Sequence, residues 1–205
     1  MFPFRLARFL VPSICPGCRG PIDLDLTVCP DCVDALDATG PVDDSLPGLD
    51  SVYSVAPHSG VGRRILLAWK FGGLVDLSDF MAARICDVVP ERSRLETVVP
   101  VPPSPVRSRI RMVDALDLSL RVASWTDHMH LAGSLKRRGT GRQRGKGRES
   151  RLGDPPVIDG IGRHTGTVFV IDDVITTGAT LAACAKVLRD TGADEVIGLS
   201  FTRRL

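Results

Sequence analysis

The segment that most constrains the fold is an apolar run at residues 168–171, which leads into two acids and a turn of small residues. Residues 170–180 read VIDDVITTGAT. A short apolar run bounded by turn signals predicts a buried strand over 167–171, and the pattern beyond the turn predicts a helix over 179–189 and a strand over 195–201. A strand, a helix and a strand in this order predict a right-handed crossover and therefore a parallel sheet.

The preceding part of the chain shows the same alternation of strand and helix patterns. Strands are predicted over 52–56 and 97–101, and helices over 61–70, 74–88 and 112–124. With 205 residues, of which 43% are hydrophobic, the chain can bury a substantial core. The predicted fold class is therefore α/β, with a parallel sheet flanked by helices.

Composition changes along the chain predict two modules. Residues 38–50 are rich in Asp, Gly and Pro, which predicts a linker and a domain boundary near residue 45. The first module, residues 1–45, would hold a short amphipathic helix over 1–12, a cysteine-rich unit and the linker. The second module, residues 46–205, would hold the sheet.

The first module contains two Cys-x-x-Cys pairs separated by ten residues. The four cysteines are Cys15, Cys18, Cys29 and Cys32. This spacing predicts a tetrahedral site in which four thiolates bind a structural Zn²⁺, with a redox-active thiol pair as the alternative. The other two cysteines, Cys86 and Cys184, lie in apolar stretches and are interpreted as buried core thiols.

The acids and the turn after the apolar run have the chemistry of a sugar phosphate site. Open α/β sheets bind ligands at the carboxyl ends of their strands, where Asp172 and Asp173 would accept hydrogen bonds from a sugar diol. A turn of small residues at a helix N-terminus favours a phosphate monoester. The candidate residues of this turn are Thr176, Thr177, Gly178, Ala179 and Thr180. The set fits a ribose 5-phosphate, and the alternative is a buried strand followed by an ordinary N-capped helix.

Residues 170–180 resemble the motif with which type I phosphoribosyltransferases bind 5-phosphoribosyl-1-pyrophosphate (PRPP): two acids followed by Thr-Thr-Gly-x-Thr. The resemblance implies displacement of pyrophosphate from C1 of the sugar, a glycosyltransferase reaction in which Mg²⁺ bridges pyrophosphate and ribose oxygens. It also implies that Asp172 or Asp173 takes part in proton transfer. The sequence identifies neither that acid nor the acceptor substrate.

The segment 97–111 extends the resemblance to the ComF family, in which a phosphoribosyltransferase-like fold follows an N-terminal zinc module. Residues 99–102 read VPVP, and residues 52–73, which end in KFGG, are also similar to that family. Candidates for binding pyrophosphate are Arg107, Arg109, Arg111 and Lys70, and the alternative for the arginines is a solvated basic turn. ComF relatives continue with Arg-Gly-Phe-Asn-Gln where this chain has RMVDA at 111–115. Because Met112–Ala115 depart from the family pattern, the resemblance does not decide whether the chain is catalytically active.

A Gly/Arg-rich segment precedes the central strand. Residues 134–151 carry eight Lys and Arg residues but one Glu, while the net charge of the whole chain is +2. Residues 136–151 are interpreted in three ways: a loop that closes over PRPP, a contact for single-stranded nucleic acid, or a solvated loop.

Three functions follow from these features: a phosphoribosyltransferase, a non-catalytic DNA-uptake (competence) or nucleic-acid-handling protein that PRPP or a nucleotide regulates, and an interaction module with an inactive ligand site. The sequence has no apolar run that would span a membrane and predicts a cytoplasmic protein. The four histidines, including His58, lack the spacing of metal ligands and are interpreted as surface or core residues.

Overall fold

The structure is a computed structural model that describes residues 13–89, 97–103, 114–125, 130–131, 135–137 and 156–205. The predicted helix over 1–12 lies outside these residues.

Ten strands and five helices lie within the described ranges. The strands are β1 (Ser13–Ile14), β2 (Pro21–Ile22), β3 (Val42–Asp44), β4 (Ser51–Pro57), β5 (Thr97–Pro100), β6 (His130–Leu131), β7 (Leu135–Arg137), β8 (Ile158–Gly160), β9 (Thr167–Ile175) and β10 (Glu195–Arg203). The helices are α1 (Pro30–Asp37), α2 (Gly60–Phe71), α3 (Leu77–Asp87), α4 (Ala115–Ser124) and α5 (Ala179–Asp190).

The main sheet has the strand order β3-β4-β10-β9-β5-β6 within the described residues. The strands β4, β10, β9, β5 and β6 pair in parallel, and β3 pairs antiparallel with β4 at one edge. Parallel strands need crossover connections, and α5 supplies the connection between β9 and β10. The structure thus confirms the predicted parallel sheet flanked by helices.

The central strand β9 is longer than predicted. The apolar run suggested an end at residue 171, whereas β9 pairs with β10 as far as the partners Ile175 and Arg203. The β-branched residues Val174 and Ile175 extend the strand beyond the acids. Both Asp172 and Asp173 therefore lie inside β9 and not in the turn that follows it.

The two faces of β9 contribute to two hydrophobic clusters, because successive side chains of a strand point to opposite faces. Phe169 and Ile171 belong to a cluster that includes Trp69 of α2. Val168 and Val170 belong to a second cluster that includes Leu181 of α5. Helices therefore cover both faces of the sheet, as a parallel sheet requires.

The cysteine-rich unit is part of the first cluster. Cys15, Cys32 and Leu36 pack in the same cluster as Ile65 and Trp69 of α2. The domain boundary near residue 45 stays a prediction. Residues on both sides of it contribute to the same hydrophobic cluster.

Among the described residues, six short strands, β1, β2, β3, β6, β7 and β8, occur where the sequence predicted none. Of these, β3 lies in the predicted linker over 38–50 and pairs with β4, and β7 lies in the Gly/Arg-rich segment 134–151 and pairs with β8. Neither strand exceeds three residues, so alternation of apolar and polar residues gives little signal at this length.

Helix starts also differ from the prediction. The helix predicted over 74–88 begins at Leu77. The described part of the helix predicted over 112–124 begins at Ala115, because the Asp114 side chain accepts hydrogen bonds from the N–H groups of Leu116 and Asp117. No helix in the described ranges is long and apolar enough to cross a bilayer.

Candidate functional site

The carboxyl ends of the parallel strands meet at one edge of the sheet, which we call the carboxyl edge. There β4 ends at Pro57, β5 at Pro100, β9 at Ile175 and β10 at Arg203. The chain leaves β9 through α5 toward β10 on one side, and leaves β5 through α4 toward β6 on the other. Ligands of open α/β sheets bind at such a switch in strand order, so the candidate site lies where β9 meets β5.

The turn 176–180 comprises the connection from β9, residues 176–178, and the first two residues of α5. Gly178 is the N-cap of α5, and its φ of 76° lies in the left-handed region that favours glycine. A Cβ atom added to Gly178 would lie 2.6 Å from the Leu46 methyl carbons. The first N–H groups of the 12-residue helix α5 have no partner within the helix and carry partial positive charge. The turn therefore offers backbone donors to an anion.

Asp173 and Lys70 form a buried ion pair. The Lys70 Nζ atom lies 2.7 Å from Asp173 Oδ1, and the two side chains are 4% and 3% exposed. Lys70 comes from the last turn of α2, so this helix brings its charge to the end of β9. The sequence assigned the two residues to different parts of one ligand, whereas the structure joins them directly.

Asp172 is half-buried beside that pair. Its Oδ1 atom accepts a hydrogen bond of 2.8 Å from the N–H group of Asp173. Burial, followed by the charge of Asp173, raises the pKa of the Asp172 carboxyl to about 7. Asp172 can therefore exchange a proton near neutral pH, as a general acid or base must.

His58 is a residue of this edge that sequence reasoning missed. It follows β4 directly, and its Nδ1 atom lies 2.9 Å from Thr202 Oγ1 of β10. Burial and the positive charges of Lys70, Arg63 and Arg204 lower the pKa of His58. The sequence signal that could have identified His58 is its position directly after a predicted strand of the parallel sheet.

Arg203 is a second residue that the sequence gave no reason to select. Its Nε atom donates a hydrogen bond of 2.8 Å to Asp44 Oδ2, and its Nη1 atom donates to the carbonyl oxygen of Thr176. The Arg203 hydrogen bond lowers the pKa of Asp44. An arginine at the carboxyl end of the last strand thus contacts the first residue of the turn.

Several candidates fall outside the described residues. They are Arg107, Arg109, Arg111, Met112 and the segment 138–151. The chain leading to the arginines leaves β5 next to β9, where the N–H group of Val101 donates to the carbonyl oxygen of Ile171. Arg137, at the start of the basic segment, pairs with Ile158 in the hairpin of β7 and β8.

The four cysteines of the first module form one cluster. Their sulfur atoms all lie within 4.8 Å of one another, and the Cys18 and Cys29 sulfurs are 3.7 Å apart. Tetrahedral coordination with metal–sulfur bonds of about 2.3 Å separates sulfurs by about 3.8 Å, so the cluster fits a metal ion. The N–H groups of Gly17 and Gly20 donate to sulfur at 3.3 Å, which stabilises thiolates.

Contacts of Gly17 fix the cysteine cluster against α2. A Cβ atom at Gly17 would lie 2.6 Å from the Cys32 sulfur, so glycine permits the close approach of the two Cys-x-x-Cys turns. The Arg64 side chain of α2 donates a hydrogen bond to the carbonyl oxygen of Gly17. The cysteine cluster is thereby attached to the helix that carries Lys70.

Comparisons with known proteins give fold-level likeness at low identity. No protein-family model and no curated protein sequence matches the chain. One similar solved structure, described as the allosteric regulatory enzyme of purine biosynthesis, is 17% identical with a TM-score of 0.44, over 62% of this chain and 26% of that chain. Another, orotate phosphoribosyltransferase from Aeropyrum pernix, is 18% identical with a TM-score of 0.35, over 84% of this chain and 92% of that chain. This chain thus spans about a quarter of the first of these structures.

The raised pKa of Asp172 predicts how stability depends on pH. Between an unfolded pKa near 4 and the folded pKa of about 7, the folded state keeps a proton that the unfolded state releases, so this carboxyl destabilises folding as pH rises through that window. Asp172→Asn should therefore gain about 3 kcal/mol of stability relative to wild type between pH 4.5 and about pH 8. Urea unfolding at both pH values measures the difference.

The matched control for this prediction is Asp190→Asn, which changes an exposed carboxylate at the other end of α5. Its stability relative to wild type should change less between the two pH values than that of Asp172→Asn, because its side chain is exposed, and titration of the cysteine cluster cancels in both comparisons. A difference for Asp172→Asn that is the same at both pH values would contradict the raised pKa.

Proposed function

We propose that the protein binds PRPP, or a nucleotide containing ribose 5-phosphate, at the carboxyl edge and transfers a phosphoribosyl group to an acceptor. The observation that carries the proposal is the arrangement at the end of β9. Two acids there precede a turn at the N-terminus of α5, one with a pKa of about 7 and one paired with a buried lysine.

Each part of the ligand has a chemical counterpart at this edge. The 5-phosphate would bind the N–H groups of residues 176–180, where helix polarity favours an anion. The ribose hydroxyls would donate to the carboxylates of Asp172 and Asp173. Lys70 places a positive charge beside these acids, where the anionic pyrophosphate would share it. Arg107, Arg109 and Arg111 are the further candidates for pyrophosphate.

In the proposed reaction, the bond between C1 and the pyrophosphate oxygen breaks, and a bond forms between C1 and the acceptor nucleophile. The proton of the acceptor passes to a base, and Asp172 is the candidate because its pKa lies near neutral pH. Mg²⁺ bound through substrate oxygens would neutralise pyrophosphate charge. The protein would mainly position the ligand and stabilise developing charge.

Zinc is the metal we propose for the cysteine cluster. Four thiolates with no open position are typical of structural zinc sites. The cluster includes Cys15 and Cys32, which pack against α2, so bound metal would stabilise the end of α2 that faces the cysteine unit. Reduced thiolates are typical of a reducing compartment, so we also propose that the protein is cytoplasmic. We further propose that it belongs to the ComF family, in which a zinc module precedes a phosphoribosyltransferase-like fold.

A nucleic-acid-handling role is the second candidate. The observation that favours it is the concentration of positive charge in β7 and the segment that follows it, since eight Lys and Arg residues lie within residues 134–151. Such a segment holds nucleic-acid phosphates without reading the base sequence. In this case PRPP or a nucleotide would regulate binding at the same carboxyl edge.

Calorimetry with PRPP and Mg²⁺ tests the ligand. Wild type should bind, and Asp172→Asn should weaken binding about tenfold because a diol acceptor loses its charge. Asp173→Asn alone would remove one charge of a buried ion pair, which costs about 3 to 5 kcal/mol of stability. The suitable variant is therefore Lys70→Met with Asp173→Asn, which removes both charges together.

The matched control is Lys186→Met with Asp190→Asn, an exposed ion pair at the far end of α5. It should bind PRPP as wild type does. Absence of heat with wild type would rule out the ligand. If wild type binds PRPP but releases no pyrophosphate with any of a panel of bases, the protein is a PRPP-binding protein without transferase activity toward them.

Metal analysis tests the cysteine cluster. One zinc ion per chain is expected, and Cys15→Ser should abolish it and lower the unfolding temperature because the cluster shares a core with α2. Cys86→Ala is the control, since Cys86 is buried outside the cluster and its removal should leave the zinc content unchanged. An oxidised Cys-x-x-Cys pair in metal-free protein would favour the redox alternative.

Salt dependence tests the nucleic-acid candidate. Binding of single-stranded DNA should weaken as salt rises, and changing Arg142, Lys146 and Arg148 to Gln should reduce the slope of log K against log salt by about 0.7 for each lost phosphate contact. A control changes the exposed Arg121, Arg163 and Lys186 to Gln. Equal loss in both variants, or no binding by wild type, would exclude a role for residues 136–151.

A further inference from the structure

Arg203 links three segments of the chain at the carboxyl edge. It ends β10 and is 9% exposed. Its Nε and Nη2 atoms lie 2.8 and 2.7 Å from Asp44 Oδ2, and its Nη1 atom donates to the carbonyl oxygen of Thr176. The planar guanidinium holds its donors in a fixed fork, so the two partners keep a fixed geometry relative to each other.

The Thr176 carbonyl is the point at which β9 becomes the turn of residues 176–180. Thr176 and Thr177 are exposed, and the ladder between β9 and β10 ends at Ile175. The N–H group of Arg204 donates to the carbonyl oxygen of Ile175 at 2.8 Å. Arg203 thus extends the connection between β10 and the end of β9 by one residue, into the turn itself.

Asp44 orients Arg203 from the edge strand β3. Its Oδ1 atom accepts a hydrogen bond of 2.8 Å from the N–H group of Ser45, so both carboxylate oxygens have partners. Two residues later, Leu46 is buried against Gly178, where a Cβ atom would lie 2.6 Å from its methyl carbons. The segment 44–46 therefore contacts the turn at Gly178 and, through Arg203, at Thr176.

We propose that Arg203, oriented by Asp44, is a positioning residue that presets the turn 176–180 for a ligand phosphate. The inference rests on the proposed binding of ribose 5-phosphate at this turn. Backbone N–H groups bind a phosphate well only if they converge before binding, because ordering a mobile turn lowers affinity. The first residue of the turn is exposed, and the Arg203 hydrogen bond supplies the constraint that burial does not.

Asp44→Asn and Arg203→Lys test this role by calorimetric titration with ribose 5-phosphate. Each should weaken binding about tenfold, because Asp44→Asn removes the negative charge from the bridge between Asp44 and Thr176 and Arg203→Lys removes its planar fork. The double variant should be no weaker than Arg203→Lys alone, since the two residues act through one connection. Asp44→Asn removes a half-buried charge at the sheet edge, so it tests the idea even where Arg203→Lys folds poorly.

The matched control is Asp50→Asn. Asp50 also pairs with an arginine, Arg189, and accepts from the N–H group of Val196 at 2.7 Å, at the opposite end of β10. It should lower the unfolding midpoint about as much as Asp44→Asn while changing ribose 5-phosphate affinity less than about twofold. A purely structural role of Arg203 predicts equal affinity losses in the two variants and would overturn the inference.

The outcomes separate this inference from the proposed function. If wild type fails to bind ribose 5-phosphate, the proposed function at this turn is wrong and the positioning role falls with it. If wild type binds and Asp44→Asn binds equally well, the proposed function stands and only the positioning role is overturned. A loss confined to Asp44→Asn and Arg203→Lys supports both.

Discussion

The position of β9 between β5 and β10 is the constraint on which the candidate site depends. A strand covered on both faces cannot expose its polar residues to water, so acids near its end need partners from the neighbouring elements. Asp173 receives Lys70 from α2, and the turn beyond Ile175 receives Arg203 from β10. The residues that complete the edge therefore come from segments distant in sequence.

Charge at this edge is unevenly compensated. Lys70 pairs with Asp173 and Arg203 with Asp44, while burial and the neighbouring carboxylate hold the pKa of Asp172 at about 7. Burial and the nearby positive charges lower the pKa of His58, which favours the neutral form of its ring. The phosphates of a phosphorylated sugar would bind near the N-terminus of α5 and near Lys70 and Arg203. Its hydroxyl groups would donate hydrogen bonds to Asp172 and Asp173. The electrostatics suit a ligand that is anionic at its ends and polar in the middle.

Local signals predicted the elements that local chemistry determines. The apolar run, the acids and the glycine turn identified β9, α5 and residues 172–180, because burial, helix capping and positive φ are properties of short segments. Sequence reasoning missed Arg203 and His58, since their positions depend on strand order and register, which place β10 beside β9 and β4 on the other side of β10. It also assigned Lys70 to pyrophosphate without its partner Asp173, because pairing across about 100 positions leaves no local pattern.

The short strand β3 also affects whether the edge of the sheet can pair with a strand of another molecule. Without it, β4 would present a seven-residue row of unpaired backbone groups at the side of a hydrophobic sheet, a template for pairing with another chain. With β3 in place, the outermost strand has three residues, one of which is the exposed and charged Asp43. Within the described residues, a strand too short and too acidic to recruit a further strand thus covers residues 52–54 of β4, which disfavours pairing with another chain there.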